Sequence, residues 1–184
     1  MGWITYHREP GQTDREHFQE QFGADLEIID CTTVKNVFYA ATRSKRGEVF
    51  AMVILIQRTR GYYNFGYKDM EESMGPCAYD CPDRILDLLT PTDSKYAIEW
   101  RETCRRTNAA KKEARTQTTK VKDGTTIRLA APLNFQGNLK AQEFRLRVNG
   151  RRRWWMANPD TSSQFMCRLP RDWATRYQWE KIAA

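Results

Sequence analysis

Residues 143–157 read EFRLRVNGRRRWWMA, two alternating segments hinged on Asn149-Gly150. Asn-Gly favours the two-residue turns whose twist matches that of paired strands, so this stretch predicts a hairpin with its register set by the turn. In that register Val148 faces Arg151, Arg147 faces Arg152, Leu146 faces Arg153 and Arg145 faces Trp154. Successive side chains point to opposite sides of a strand, which gathers Arg145, Arg147, Arg152 and Trp154 on one face and Phe144, Leu146, Val148 and Trp155 on the other. One face is core material and the other is basic and aromatic. Like charges directly opposite each other destabilise a strand pair, so an Arg147–Arg152 pair calls for an anion or an acidic partner. Guanidinium forks suit phosphate, and an indole offers a stacking surface for an unpaired base.

Outward from the hairpin, further short strands are expected at 125–130, 164–169 and 177–182. Asn158-Pro159-Asp160 and Pro170-Arg171-Asp172 supply turn signals between them. Five such strands suggest a small β-barrel resembling the SH3-like class over residues 123–184. Residues 105–122 lose the apolar stripe of the preceding helix and read as a basic helix end or linker. Arg101, Arg105, Arg106, Lys111 and Lys112 are expected to point outward, and Arg101, Arg105, Lys111 and Lys112 to extend the basic footprint.

Residues 1–104 predict an α+β unit. Thr13-Asp14-Arg15-Glu16 is a capping-box pattern that starts a helix carrying Phe18 and Phe22 on one face, with Gly23 as its left-handed stop. Three extended segments follow as an antiparallel meander, namely Leu26 running on to Ala41, Glu48 to Gln57, and Tyr62 to Tyr67. The apolar run from Phe50 to Ile56 suits a central strand covered on both faces. It is too short to span a bilayer. Short and long helices are expected to open at Asp80-Cys81-Pro82-Asp83 and Thr92-Asp93-Ser94, the second burying Tyr96, Ala97, Trp100 and Cys104.

The net charge of +7 conceals a division: residues 1–100 carry 11 Lys/Arg against 16 Asp/Glu, and residues 101–184 carry 19 against 7. The first part is acidic and the second strongly basic, which points to a polyanionic partner for the second. Five cysteines, an odd number scattered over the chain, argue against a secreted disulfide framework. The first residues lack the basic start and long apolar run of a secretion signal, so a cytoplasmic location is expected.

Residues 62–71 (YYNFGYKDME), Met74-Gly75-Pro76-Cys77, residues 88–94 (LLTPTDS) and Trp100-Arg101 resemble a family of uncharacterised proteins carried mainly by bacteriophages, plasmids and other mobile elements. The resemblance covers the first hundred residues well and the remainder loosely. It implies an accessory role on a mobile element and brings no assigned reaction, ligand or catalytic residue.

Catalytic and metal chemistry find weaker footholds. Asp69, Glu71 and Glu72, beside Tyr63, Tyr67 and Lys68, would serve acid–base or magnesium chemistry only by converging in a cleft, and acidic side chains at a helix start explain them equally. Cys77 and Cys81 lack a second ligand pair at zinc spacing unless His7 and His17 converge on them. Gly61, Gly66 and Gly75 do not make a nucleotide fingerprint. The expectation is therefore a nonenzymatic nucleic-acid-binding protein without metal or cofactor, acting through Arg145, Arg147, Arg151, Arg152, Arg153 and Trp154, with Arg105, Lys111 and Lys112. The alternatives are a protein-interaction factor that blocks a host defence complex, and an enzyme built on Asp69, Glu71 or His7.

Overall fold

The computed structural model describes residues 3–7, 9, 11–58, 64–150, 152–159 and 164–183. The chain divides into two compact units, Met1–Asn108 and Ala109–Ala184.

In the first unit, strand β1 (Ile4–His7) precedes helix α1 (Asp14–Phe22) and strands β2 (Leu26–Val34), β3 (Val37–Ser44), β4 (Val49–Arg58) and β5 (Asn64–Glu71). Helix α2 (Asp83–Leu86) and the first part of helix α3 (Lys95–Lys120) complete it. The sheet order is β1-β5-β4-β3-β2, an antiparallel meander of β2 to β5 with β1 added at the edge of β5. The single extended segment expected from Leu26 to Ala41 is two strands. They reverse at Lys35-Asn36, where Lys35 takes a left-handed φ of 58° and Val34 pairs with Val37.

β4 is covered on both sides, as its unbroken apolar run predicts. Met52, Ile54 and Ile56 pack with Phe18 of α1, Phe38 and Tyr67 on one face. Ala51 and Val53 pack with Tyr39, Ile85 of α2, and Trp100 and Cys104 of α3 on the other. Tyr96, expected on this buried face, is 65% exposed, because at the start of α3 it lies beside Gly75 and not over the sheet core. Burying each large side chain stabilises the unit by roughly 2 to 3 kcal/mol before entropy is counted.

The capping box forms: Thr13 N–H donates to Glu16 Oε2 at 2.7 Å, and Glu16 N–H donates to Thr13 Oγ1 at 3.2 Å. Gly23, expected as a left-handed stop, has φ −63°. Glycine is needed there for room, since a Cβ would lie 2.3 Å from the Gln19 carbonyl oxygen.

Residues 105–122 are helical through Lys120 rather than a linker. With the apolar stripe gone, Thr107, Thr116 and Thr118 donate hydroxyl hydrogen bonds back to the carbonyls of Thr103, Lys112 and Ala114.

In the second unit, β6 (Thr126–Asn134), β7 (Lys140–Asn149), β8 (Arg152–Pro159), β9 (Phe165–Cys167), the single helical turn α4 (Trp173–Arg176) and β10 (Trp179–Ala183) follow α3. They form one antiparallel sheet in the order β10-β6-β7-β8-β9. No ladder joins β9 to β10 among the described residues, so the closed barrel expected from the strand spacing is not seen. Ile127, Leu129, Phe144, Leu146, Trp155 and Trp173 are its buried centre. Trp155, Trp173 and Trp179 meet edge to face, with centroids 5.0 and 5.1 Å apart.

Candidate nucleic-acid interface

The β7–β8 hairpin turns one place later than Asn149-Gly150 suggests. Asn149 pairs with Arg152, and Gly150 opens the loop in the left-handed region at φ 57°. The ladder therefore sets Val148 opposite Arg153, Arg147 opposite Trp154, Leu146 opposite Trp155 and Arg145 opposite Met156. The expected Arg147–Arg152 pair does not exist, and with it goes the argument that like charges demand an anion. The slide displaces both strands' partners by an even number of residues, so each side chain keeps its predicted face. Arg145, Arg147, Arg152 and Trp154 do share one side of the sheet. Arg153 lies on the other side, and Arg151 is outside the described residues.

Arg153 has a structural task. Its guanidinium donates to the carbonyls of Thr118, at 3.1 Å, and Val121, capping the end of α3. Val121 is itself buried in the core with Ile127 and Leu129, which puts the end of α3 against the inner face of the sheet. Residues 123–125 back β7 almost to its tip. Gly124 N–H donates to the Leu146 carbonyl, Leu146 N–H donates to the Thr125 carbonyl, and Val148 N–H donates to Asp123 Oδ1 at 2.8 Å. The strand that carries Arg145 and Arg147 is held along both edges.

On the outer face Arg145, Arg147 and Arg152 are exposed and Trp154 is half-buried. Among the described residues none of these three guanidiniums makes an ion pair or a side-chain hydrogen bond. Met156 faces Met166 of β9, which is 68% exposed, so the row Thr126–Arg145–Met156–Met166 crosses four strands. One row away the arginine is paired, and by two carboxylates. Arg128 donates to Glu143 Oε1 from Nη2 at 2.6 Å and lies 3.7 Å from Glu180 Oε1. The bond to Glu143 holds the Arg128 pKa above its usual value. Met156 was missed, although alternation along β8 is a signal that could have placed it beside Trp154. Met166 and the Glu143–Arg128–Glu180 cluster required the strand pairing, which no local pattern encodes.

The remaining candidates scatter. Arg101, expected to point outward, turns in. Its Nε and Nη2 donate to Glu72 Oε2 and Oε1 at 2.7 and 2.6 Å, and its Nη1 donates to the Thr90 carbonyl at 2.7 Å. Glu72, whose side chain is 3% exposed, also accepts from Ala51 N–H at 3.3 Å. This carboxylate therefore binds α3 to the sheet rather than opening into a cleft. Arg105 is paired with Asp87 at 2.9 Å, and Lys111 and Lys112 are exposed on α3.

Asp69 and Glu71 pair with Ile54 and Met52 in the ladder, and Tyr63 lies outside the described residues, as do Gly61 and the side chain of His7. A cleft of about 200 Å³ lined by Gly75, Tyr79, Tyr96, Glu99, Trp100 and Thr103 contains neither Asp69 nor Glu71. Cys77 is exposed, whereas Cys81 is buried beside Cys104, and burial pushes the Cys81 thiol pKa well up. His17 is buried edge-on to Phe18 and Tyr67. Among the described residues no group of three His, Cys, Asp or Glu side chains is placed to hold a metal ion.

Residues 91–172 match a domain of unknown function (DUF6927). The matched region shares only Pro91 to Ser94 and Trp100-Arg101 with the stretches that carried the resemblance noted above, and lies mostly in the second half. Among curated proteins and among solved structures, nothing matches the chain. No helix is long and apolar enough to cross a membrane among the described residues.

Proposed function

We propose that the chain is a nonenzymatic nucleic-acid-binding protein, and that the outer face of the β6–β10 sheet is its binding surface. The observation that carries this reading is the state of Arg145, Arg147 and Arg152, three exposed guanidiniums on one face without a carboxylate partner among the described residues. Each of these guanidiniums presents its planar fork of donors to the outer face, a geometry that matches the oxygens of phosphate. The strand order supports reading the sheet as an SH3-like barrel, because β10 returns to pair with β6 after a single helical turn. The resemblance of the first hundred residues supports an accessory role on a mobile element. A cytoplasmic site of action fits such a partner.

Fluorescence anisotropy of a labelled mixed-sequence oligonucleotide against salt concentration tests the reading. Affinity is expected to fall log-linearly with salt, and the triple variant Arg145→Ala, Arg147→Ala, Arg152→Ala to reduce that slope by roughly 2 to 3. Its unfolding free energy should stay within about 0.5 kcal/mol per substitution, as for surface changes generally. A variant that binds as the parent does refutes the assignment. An acidic groove on a host defence complex would attract the same arginines, and absence of oligonucleotide binding together with specific recovery of such a complex would favour that alternative.

A further inference from the structure

Resting on the reading above, we infer that the nucleic acid taken by this face is single-stranded, its backbone running along β7 and its bases lying over β8 and β9. The outer face is sorted by strand. β7 presents Arg145 and Arg147, β8 presents Trp154 and Met156 beyond Arg152 at the tip, and β9 presents Met166. Cations thus form one rail, and an aromatic and two thioethers form a shelf beside it, one strand spacing of about 4.8 Å away.

Arg145 and Arg147 are two residues apart on the same face, about 6.8 Å along the strand. That interval suits successive phosphates of an extended chain. An unpaired base projecting sideways from such a backbone lands on Trp154, directly opposite Arg147, and its neighbour lands on Met156, directly opposite Arg145.

A duplex fits this sorting poorly. Its bases are reached only by an element inserted into a groove, a helix or a two-stranded ribbon, whereas β7 and β8 are flanked by β6 and β9 and present a four-stranded face instead of a free ribbon. Against phosphates alone, the shelf of Trp154, Met156 and Met166 would be left facing a charged backbone or water, a poor use of exposed apolar surface. The rail is also short. The next outward residue on β7 after Arg145 is Glu143, where two carboxylates, Glu143 and Glu180, flank the one guanidinium of Arg128. A phosphate arriving there meets net negative charge. The hairpin tip closes the other end, so the footprint is about three nucleotides at this spacing.

The test uses the full chain with oligothymidylates of increasing length, a single-stranded RNA of mixed sequence, and a mixed-sequence DNA duplex, all at one low salt concentration. Single strands are expected to bind at least tenfold more tightly than the duplex, with little gain per chain once the footprint is filled. Trp154→Ala should weaken single-strand binding roughly 5- to 150-fold, as loss of one stacked base does, and leave duplex binding unchanged. Trp154→Phe, which preserves the packing of the half-buried ring, should retain most of the affinity. Near-ultraviolet circular dichroism checks that both variants are folded. Duplex binding equal to or tighter than single-strand binding, or a folded Trp154→Ala variant with parental affinity, overturns the inference while leaving the nucleic-acid reading intact. Failure of every oligonucleotide to bind overturns that reading itself.

Discussion

The two units treat their arginines differently. In the first, Arg43 meets Glu27, Arg84 meets Asp30 and the Cys31 carbonyl, Arg101 meets Glu72, and Arg105 meets Asp87. Each carboxylate lies outside the strand or helix that carries its arginine, so these charges fasten the tertiary structure. In the second unit Arg128 is neutralised in the same manner and Arg153 caps a helix end, but Arg145, Arg147 and Arg152 carry no such bond among the described residues. Net charge alone does not make that distinction. A basic half-chain with every guanidinium paired would present little to a polyanion, and the contrast lies in which charges the fold has already satisfied.

The comparison breaks most visibly at Glu72. Replacing it by Gln strands the Arg101 guanidinium beside Thr90, and urea unfolding should report a loss of about 3 kcal/mol, the lower end of the range for a broken buried pair because Arg101 keeps 17% exposure. Replacing both residues by Leu should recover much of that loss, since neither charge is then left unpaired. Arg153→Met removes the donor to two carbonyls at the end of α3 and should cost about 1 kcal/mol. It should nevertheless leave the salt slope of oligonucleotide binding unchanged, because Arg153 is on the opposite side of the sheet from Arg147. A reduced slope would show that the outer face is not the sole binding surface. At the small end, Arg43→Ala breaks an exposed pair with Glu27 and should shift the unfolding free energy by less than about 1 kcal/mol.

Local chemistry made several elements legible. Thr13 and Glu16 announced α1 because both halves of a capping box lie within one turn. The uninterrupted run in β4 announced a doubly covered strand, and the alternation from Phe144 to Trp155 assigned each side chain its face. The registers were less accessible. Asn149-Gly150 is a strong turn signal, yet Asn149 serves as the last paired residue and Gly150 opens the loop with a positive φ. The break at Lys35-Asn36 was hidden because lysine rarely adopts a left-handed conformation. Glu72 and Arg101 are 29 positions apart, and only packing of α3 on the sheet brings them together. Arg101 therefore looked like one more solvated charge.

The strand order of the second sheet sets what a fragment of this chain must keep. The match to the domain of unknown function ends at residue 172, immediately before Trp173. Trp173 and Trp179 fill the core beside Trp155, and β10 aligns Trp179 with Leu129 and Glu180 with Arg128. A fragment cut to residues 91–172 would bare one flank of β6 and leave a hole where two indoles sit. At its start the same fragment would carry Trp100 and Cys104 away from the β3–β4 surface that buries them. The matched stretch is thus not a self-sufficient folding piece of this chain, and excision for expression should follow the packing instead.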